Sequence, residues 1–113
     1  LNYKEWIGIN GLLHKEWRNE AGSLHREDGP AQINYYRDGS IEWEEFHIAG
    51  KIHRKSGPAQ ICYHPDGSID WVFFYVSGEY LGRNKRGFWA LWDRLDEEGR
   101  QAQDILKYLA RYS

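Results

Sequence analysis

The sequence predicts a mainly β fold with C-terminal α: an antiparallel β-hairpin repeat meander of 28-residue period, capped by two short helices. Three observations carry that prediction. The run Leu24-His25-Arg26-Glu27-Asp28-Gly29-Pro30-Ala31-Gln32-Ile33 returns 28 residues later as Ile52-His53-Arg54-Lys55-Ser56-Gly57-Pro58-Ala59-Gln60-Ile61. Within each copy, apolar and polar residues alternate on both sides of an Asp-Gly pair, the pattern of two strands joined by a tight turn. After Asn84 the spacing of apolar residues lengthens to that of an amphipathic helix.

The chain divides into four successive pieces of one domain. Residues 1–22 read as a degenerate first hairpin, because Gly11 and Gly22 keep the spacing of Gly39 to Gly50 and of Gly67 to Gly78. Leu13 takes the place of Ile41 and Ile69, and Trp17 falls one position from the register of Phe46 and Phe74. An atypical end copy is expected where a stack of repeats meets solvent. Residues 23–50 form the first full unit: Gly29-Pro30 opens the outgoing strand, Ala31, Ile33 and Tyr35 alternate along it, and Asp38-Gly39-Ser40 turns it back. Ile41 and Trp43 then form one alternating set of the return strand against Glu42 and Glu44, which face solvent if the tryptophans face the core.

Residues 51–82 repeat this scheme with Gly57, Pro58, Asp66, Gly67 and Trp71, and Gly50 and Gly78 close the two units. Pro65 suits the first corner of a type I turn, with Gly67 in the left-handed position after it. Phe46 and Phe74 break the phase of the preceding Trp, which predicts a bulge or a strand end there. Residues 83–113 form the helical cap: Phe88, Leu91, Trp92 and Leu95 mark a helix over about 86–97, with Asn84 as its N-cap. Ala102, Ile105, Leu106 and Leu109 mark a second over about 100–111, with Gly99 between the two.

Composition narrows the function classes. A formal charge of −2, divided as 8 basic and 12 acidic residues over 1–82 and 7 basic and 5 acidic over 83–113, disfavours an electrostatic nucleic-acid binder. The single cysteine, Cys62, cannot form an internal disulfide. No apolar run reaches the length of about 18 residues that reads as a membrane span, and the chain begins without a leader-like segment. The expectation is a cytoplasmic protein, in the host cytoplasm if it is viral.

The pattern His25-Arg26-x-x-Gly29-Pro30-Ala31 through Gly50, repeated from His53 to Gly78, resembles the MORN-repeat variant family found in small phage and bacterial proteins, some antitoxin-like. The resemblance covers residues 24–78, and the Phe88-Trp89-x-x-Trp92 stretch resembles tails appended to some phage members. It implies hairpins stacked into a curved sheet and a scaffold-like role in protein binding. In the phage setting it also implies a protein that binds and blocks a host enzyme, including a defence protein. The chain carries His-Arg-x-x-Gly-Pro-Ala where MORN proteins usually have a Tyr-x-Gly-rich core.

Against that background each chemical motif has a structural reading. His25 and His53, with His14, are metal-ligand residue types, but recurrence at one repeat position reads as a contact bracing a turn. Arg26 and Arg54 are expected to bond backbone carbonyls or a neighbouring Asp. No metal and no cofactor is expected. Glu42, Glu44, Glu45, Asp66 and Asp70 supply carboxylates beside Trp43 and Trp71, which is the material of a glycoside hydrolase. Arg83, Lys85 and Arg86, in a Gly-flanked basic stretch, form a candidate anion site.

The leading function is a non-catalytic protein–protein interaction module, presenting Trp17, Tyr36, Glu44 and Glu45 to a host or cognate protein, with homodimerisation through an open strand edge or the helical cap as a further expectation. Two alternatives stand beside it. One is a small-ligand or nucleic-acid binder that stacks on Tyr36 and a Trp and holds phosphates with Arg83, Lys85 and Arg86. The other is the carboxylate-based hydrolase.

Overall fold

The computed structural model describes residues 2–113. Nine strands come first: β1 (Asn2–Ile7), β2 (Leu13–Arg18), β3 (Gln32–Tyr35), β4 (Ile41–Glu45), β5 (His47–Ile48), β6 (Lys51–Ile52), β7 (Gln60–Tyr63), β8 (Ile69–Val76) and β9 (Glu79–Arg83). Three helices follow: α1 (Asn84–Trp92), α2 (Glu97–Arg100) and α3 (Gln103–Tyr112). Seven strands form one antiparallel sheet in the order β1-β2-β3-β4-β7-β8-β9, and β5 with β6 makes a small hairpin outside it. The sheet does not close into a barrel. The molecule is a plate of 44 × 35 × 22 Å. No helix among the described residues is long and apolar enough to cross a membrane.

Local chemistry places the turns. In both full hairpins the Asp side chain accepts from the Ser two residues on, backbone and hydroxyl alike (Asp38 from Ser40, Asp66 from Ser68). The intervening glycines sit at φ +90° and +89°, a region open to Gly at no steric cost. Gly67 donates its N–H to the His64 carbonyl, so Pro65 occupies the first corner of that turn. The unit-closing pairs Ala49-Gly50 and Ser77-Gly78 have positive φ at both residues, as a two-residue type I′ hairpin requires.

The alternating set expected of Ile41 with Trp43, and of Ile69 with Trp71, needs correction. Directly paired residues share a face of the sheet, and the row Lys15, Ile33, Glu44, Ile61, Val72 is the one the helices cover on its β7–β8 side. Trp43 and Trp71 belong to the neighbouring row with His14, Asn34 and Cys62, on the opposite, open face. Trp71 is 38% exposed while Val72 is wholly buried. The cause is a register shift: Tyr35 pairs with Ile41 and Asn34 with Trp43, and in the next hairpin Tyr63 pairs with Ile69 and Cys62 with Trp71. Each bulge admits one extra residue, Glu42 or Asp70, so Ile41 and Trp43 share a sequence parity but not a face. A third shift follows Phe74, and β4 ends at Glu45, before Phe46. The strand end expected at Phe46 therefore occurs, whereas the shift beside Phe74 adds Leu81 to β9, and Phe74 reaches the face opposite Trp71 by ordinary alternation along β8.

The helical boundaries also differ from the expected ones. α1 starts at Asn84, whose backbone is left-handed and whose side chain accepts from the Val72 N–H at 3.4 Å rather than capping the helix. It ends at Trp92, where the bonds tighten to i→i+3. Asp96 then caps the four-residue α2 by accepting from the Gly99 N–H at 2.8 Å, so Gly99 lies inside a helix rather than between two.

α1 and α3 seat Phe88, Leu91, Ile105 and Tyr108 on Ile61, Val72 and Phe74, with Trp89 and Trp92 partly buried at the rim. Burying about 1.5–3 kcal/mol worth of each such side chain makes this the main apolar core. Phe74 meets Phe88 and Tyr112 edge-on at 6.4 and 6.3 Å.

Candidate functional site

The repeated His-Arg-x-x-Gly-Pro motif is occupied with holding the hairpins together. His25 Nδ1 accepts the Ala49 N–H at 2.9 Å, and His53 Nδ1 accepts the Ser77 N–H at 2.8 Å. Each histidine thus braces the turn that closes its unit, which requires a neutral ring with its proton on Nε2. Arg26 lays its guanidinium over Trp17 at 3.9 Å and bonds the Pro30 carbonyl at 3.2 Å; Arg54 does the same over Phe46 at 4.0 Å and to Pro58 at 3.2 Å.

A Cβ on Gly29 would come within 3.0 Å of the Arg26 guanidinium, and one on Gly57 within 2.8 Å of the Tyr108 ring and 3.3 Å of Arg54. The glycine therefore makes room for the arginine. Trp17 plays the part of Phe46: its carbonyl accepts from His25 as that of Phe46 accepts from His53, and its N–H donates to Ala31 as that of Phe46 donates to Ala59. Among the described residues, no group of three or more His, Cys, Asp and Glu is placed to hold a metal ion.

The four residues expected at a partner surface do not share one. Trp17 and Glu44 follow the register of the helix-covered face, and Glu45 lies in the row of Gln32 and Gln60 on the open face. Glu44 accepts from the Tyr63 hydroxyl; burial and that carboxylate push the phenol far above its ordinary range. Glu45 accepts from Gln60 at 2.9 Å and pairs with His47 at 3.0 Å. Tyr36 donates its hydroxyl to the Tyr63 carbonyl at 2.6 Å. Burial, then the nearby Glu42 and Asp70, raise its pKa.

Among the carboxylates beside the tryptophans, Glu42, Glu45 and Asp70 are near enough to act on Cys62, while Glu44 and Asp66 are engaged elsewhere. Asp66 holds its turn serine and Asp70 faces His64 at 3.6 Å. Glu42 lines a groove with Trp6, His14, Asn34 and Tyr35 that contains no second carboxylate. Cys62 lies between these groups, and burial followed by Asp70, Glu42 and Glu45 pushes its thiol up, away from the thiolate that nucleophilic chemistry needs. Glu16, 8% exposed, is held by Arg18 at 3.0 and 3.2 Å, and those hydrogen bonds keep its carboxyl below the usual range.

Two exposed surfaces remain, and periodicity alone identified neither. The first is β1, exposed along all six residues, with Tyr3, Trp6 and Ile7 at 45%, 43% and 62%. The second lies at the far end of the sheet, where Trp71, Phe73 and Tyr80 stand on the open face. Arg83 covers Trp71 at 4.4 Å, and Lys85 and Arg86 line a groove with Tyr80, so the three expected anion-site residues do come together.

A comparison of the two copies contains the signal for the second surface. Phe73 stands where the first copy has Glu45, and Tyr80 where it has Ile52. No protein-family model, curated protein or solved structure matches the chain.

Proposed function

We propose that this chain is a non-catalytic protein-interaction module of MORN-like repeat type, an inhibitor or antitoxin-like binder that engages a host or cognate protein through the free edge of β1. The observation that carries the reading is β1 itself: an edge strand open along its whole length, with two aromatic residues and an isoleucine in solvent. Unpaired strand edges recruit another strand, and exposed Trp and Tyr supply contact area at small entropic cost. The residue types that suggested metal or nucleophilic chemistry are engaged in turns and ladders, which supports a binding role over a catalytic one.

Charge along β1 favours a foreign strand over a second copy. Two copies related by a two-fold axis through the sheet pair residues of like parity. The two registers that overlap most of β1 oppose Lys4 to Lys4 or Glu5 to Glu5 at the axis. Like charges directly opposite destabilise a pair. The fitting partner offers an extended segment with an acidic residue opposite Lys4, a basic one opposite Glu5 and an apolar one opposite Trp6.

The test is affinity capture from host lysate with the wild-type chain and with Trp6→Lys and Ile7→Lys, alongside sedimentation of each protein alone. One stoichiometric protein held by the wild type and lost by both variants, from a monomeric bait, is the expected result. Retention of that protein by the variants, or a wild-type homodimer that the same substitutions dissolve, would overturn it.

A further inference from the structure

The geometry points to the open face of β8 and β9 as a binding site for single-stranded nucleic acid, with bases stacked on Trp71, Phe73 and Tyr80 and phosphates held by Arg83, Lys85 and Arg86. Trp71 and Phe73 are successive same-face residues of β8, with ring centroids 6.4 Å apart and planes 14° from parallel. Tyr80, across the ladder on β9, continues the row 6.3 Å from Phe73. Tyr80 is 52% exposed. The helices pack on the other side of the same strands, so the row stands on a backed, rigid platform.

These rings pack on one another, on Tyr75 and on Arg83, and none joins the helix-covered core. Where the second copy replaces Glu44 of the first by Val72, α1 and α3 cover the new apolar residue. Where it replaces Glu45 by Phe73 and Ile52 by Tyr80, the new rings lie on the open face, Phe73 partly buried and Tyr80 exposed.

Arg83 stands opposite Phe73 on β9, and Lys85 and Arg86 follow in the first turn of α1, beside Tyr80 at the edge of the sheet. Arg83 lies over the Trp71 ring, and guanidinium planes accept bases much as aromatic rings do. Lys85 and Arg86, with Tyr80 and Arg83, line a groove of about 430 Å³ that includes no carboxylate. None of the three cations makes a salt bridge among the described residues. Rings flanked by unpaired cations match the requirements of an unstacked strand: π-faces for bases and positive charge along the backbone. A duplex, whose bases are already stacked, gains nothing from the rings. With only three phosphate contacts and a net charge of −2, binding is modest and strongly salt-dependent.

The test is fluorescence anisotropy with labelled oligothymidylate and oligouridylate of about ten nucleotides, a duplex of the same length, and oligoglutamate as an acidic-peptide probe. Single strands should bind in the micromolar range at 50 mM salt and weaken roughly 20-fold by 200 mM, as about three released counterions require. Trp71→Ala and Tyr80→Ala should each weaken binding on the order of 10-fold. Lys85→Glu with Arg86→Glu, both exposed positions, should flatten the salt dependence, and near-UV circular dichroism establishes that each variant is folded. The inference fails if no single strand binds at 50 mM salt, if folded ring variants bind as wild type does, or if the duplex binds more tightly. Ring-dependent binding of oligoglutamate with equal affinity would instead reassign the face to an acidic protein segment.

Discussion

Gly87 is the point of closest approach between the helical cap and the sheet, and replacing it by alanine measures how tightly the two are joined. A Cβ there would lie 2.3 Å from the Gly82 carbonyl oxygen and 2.5 Å from Cδ1 of Phe74. Neither neighbour can give way easily. The carbonyl belongs to β9, paired to β8 through Phe74 and Gly82, and the Phe74 ring is wholly buried between Phe88 and Tyr112.

Alanine gains about 1 kcal/mol over glycine from helix propensity, while overpacking a dense site costs about 1–3 kcal/mol or more. With two immovable contacts the cost lies at the upper end, leaving a net loss of about 2 kcal/mol. For a chain of this size that lowers Tm by roughly 10 °C. Gly99→Ala is the matched control: its nearest new contact is the flexible end of Leu95 at 3.1 Å, and its Tm should stay within a few degrees of wild type. Thermal unfolding followed by near-UV circular dichroism reads both. A Gly87→Ala protein as stable as the Gly99→Ala protein would refute the seating of α1 on β8 and β9.

Two further outcomes test the hairpins. Gly39→Val and Gly67→Val should each lose about 1–3 kcal/mol in denaturant melts. No atom lies within 4 Å of either added Cβ, so the loss comes from the positive φ alone and unchanged midpoints would remove that turn assignment. His53 accepts the Ser77 N–H through Nδ1, and burial, then Lys55, lowers its pKa. The unfolded chain therefore takes up the proton first, near pH 6.5, so the contribution of His53 is complete above that pH and is lost as the pH falls from there through the lowered folded-state pKa. Denaturant midpoints between pH 5 and 8 should show this slope in the wild type and not in His53→Phe; equal slopes in both would contradict it.

The turns were legible because they are local: Asp-Gly-Ser makes its own hydrogen bonds, and Ala49-Gly50 needs no distant partner to adopt its backbone. The change from strand to helix near residue 84 was legible for the same reason, while its boundaries depended on what Asn84 and Asp96 found to bond. The face of Trp43 and Trp71 was not legible, since a bulge is a property of two strands and appears only when the register of the partner is known. The binding surfaces were hidden more deeply. Trp17 and Trp71 are both tryptophans in repeat hairpins and both lie beneath an arginine, yet Trp17 follows the helix-covered face and is half-buried while Trp71 stands exposed on the open one.

By itself, then, the sequence determined the repeat, the turns and the strand-to-helix order, because these follow from bonds between near neighbours. Only the tertiary structure decided which aromatic rings became core and which remained surface. Burial is a relation between a side chain and whatever elements pack on its face, and α1 and α3 chose one face of this sheet.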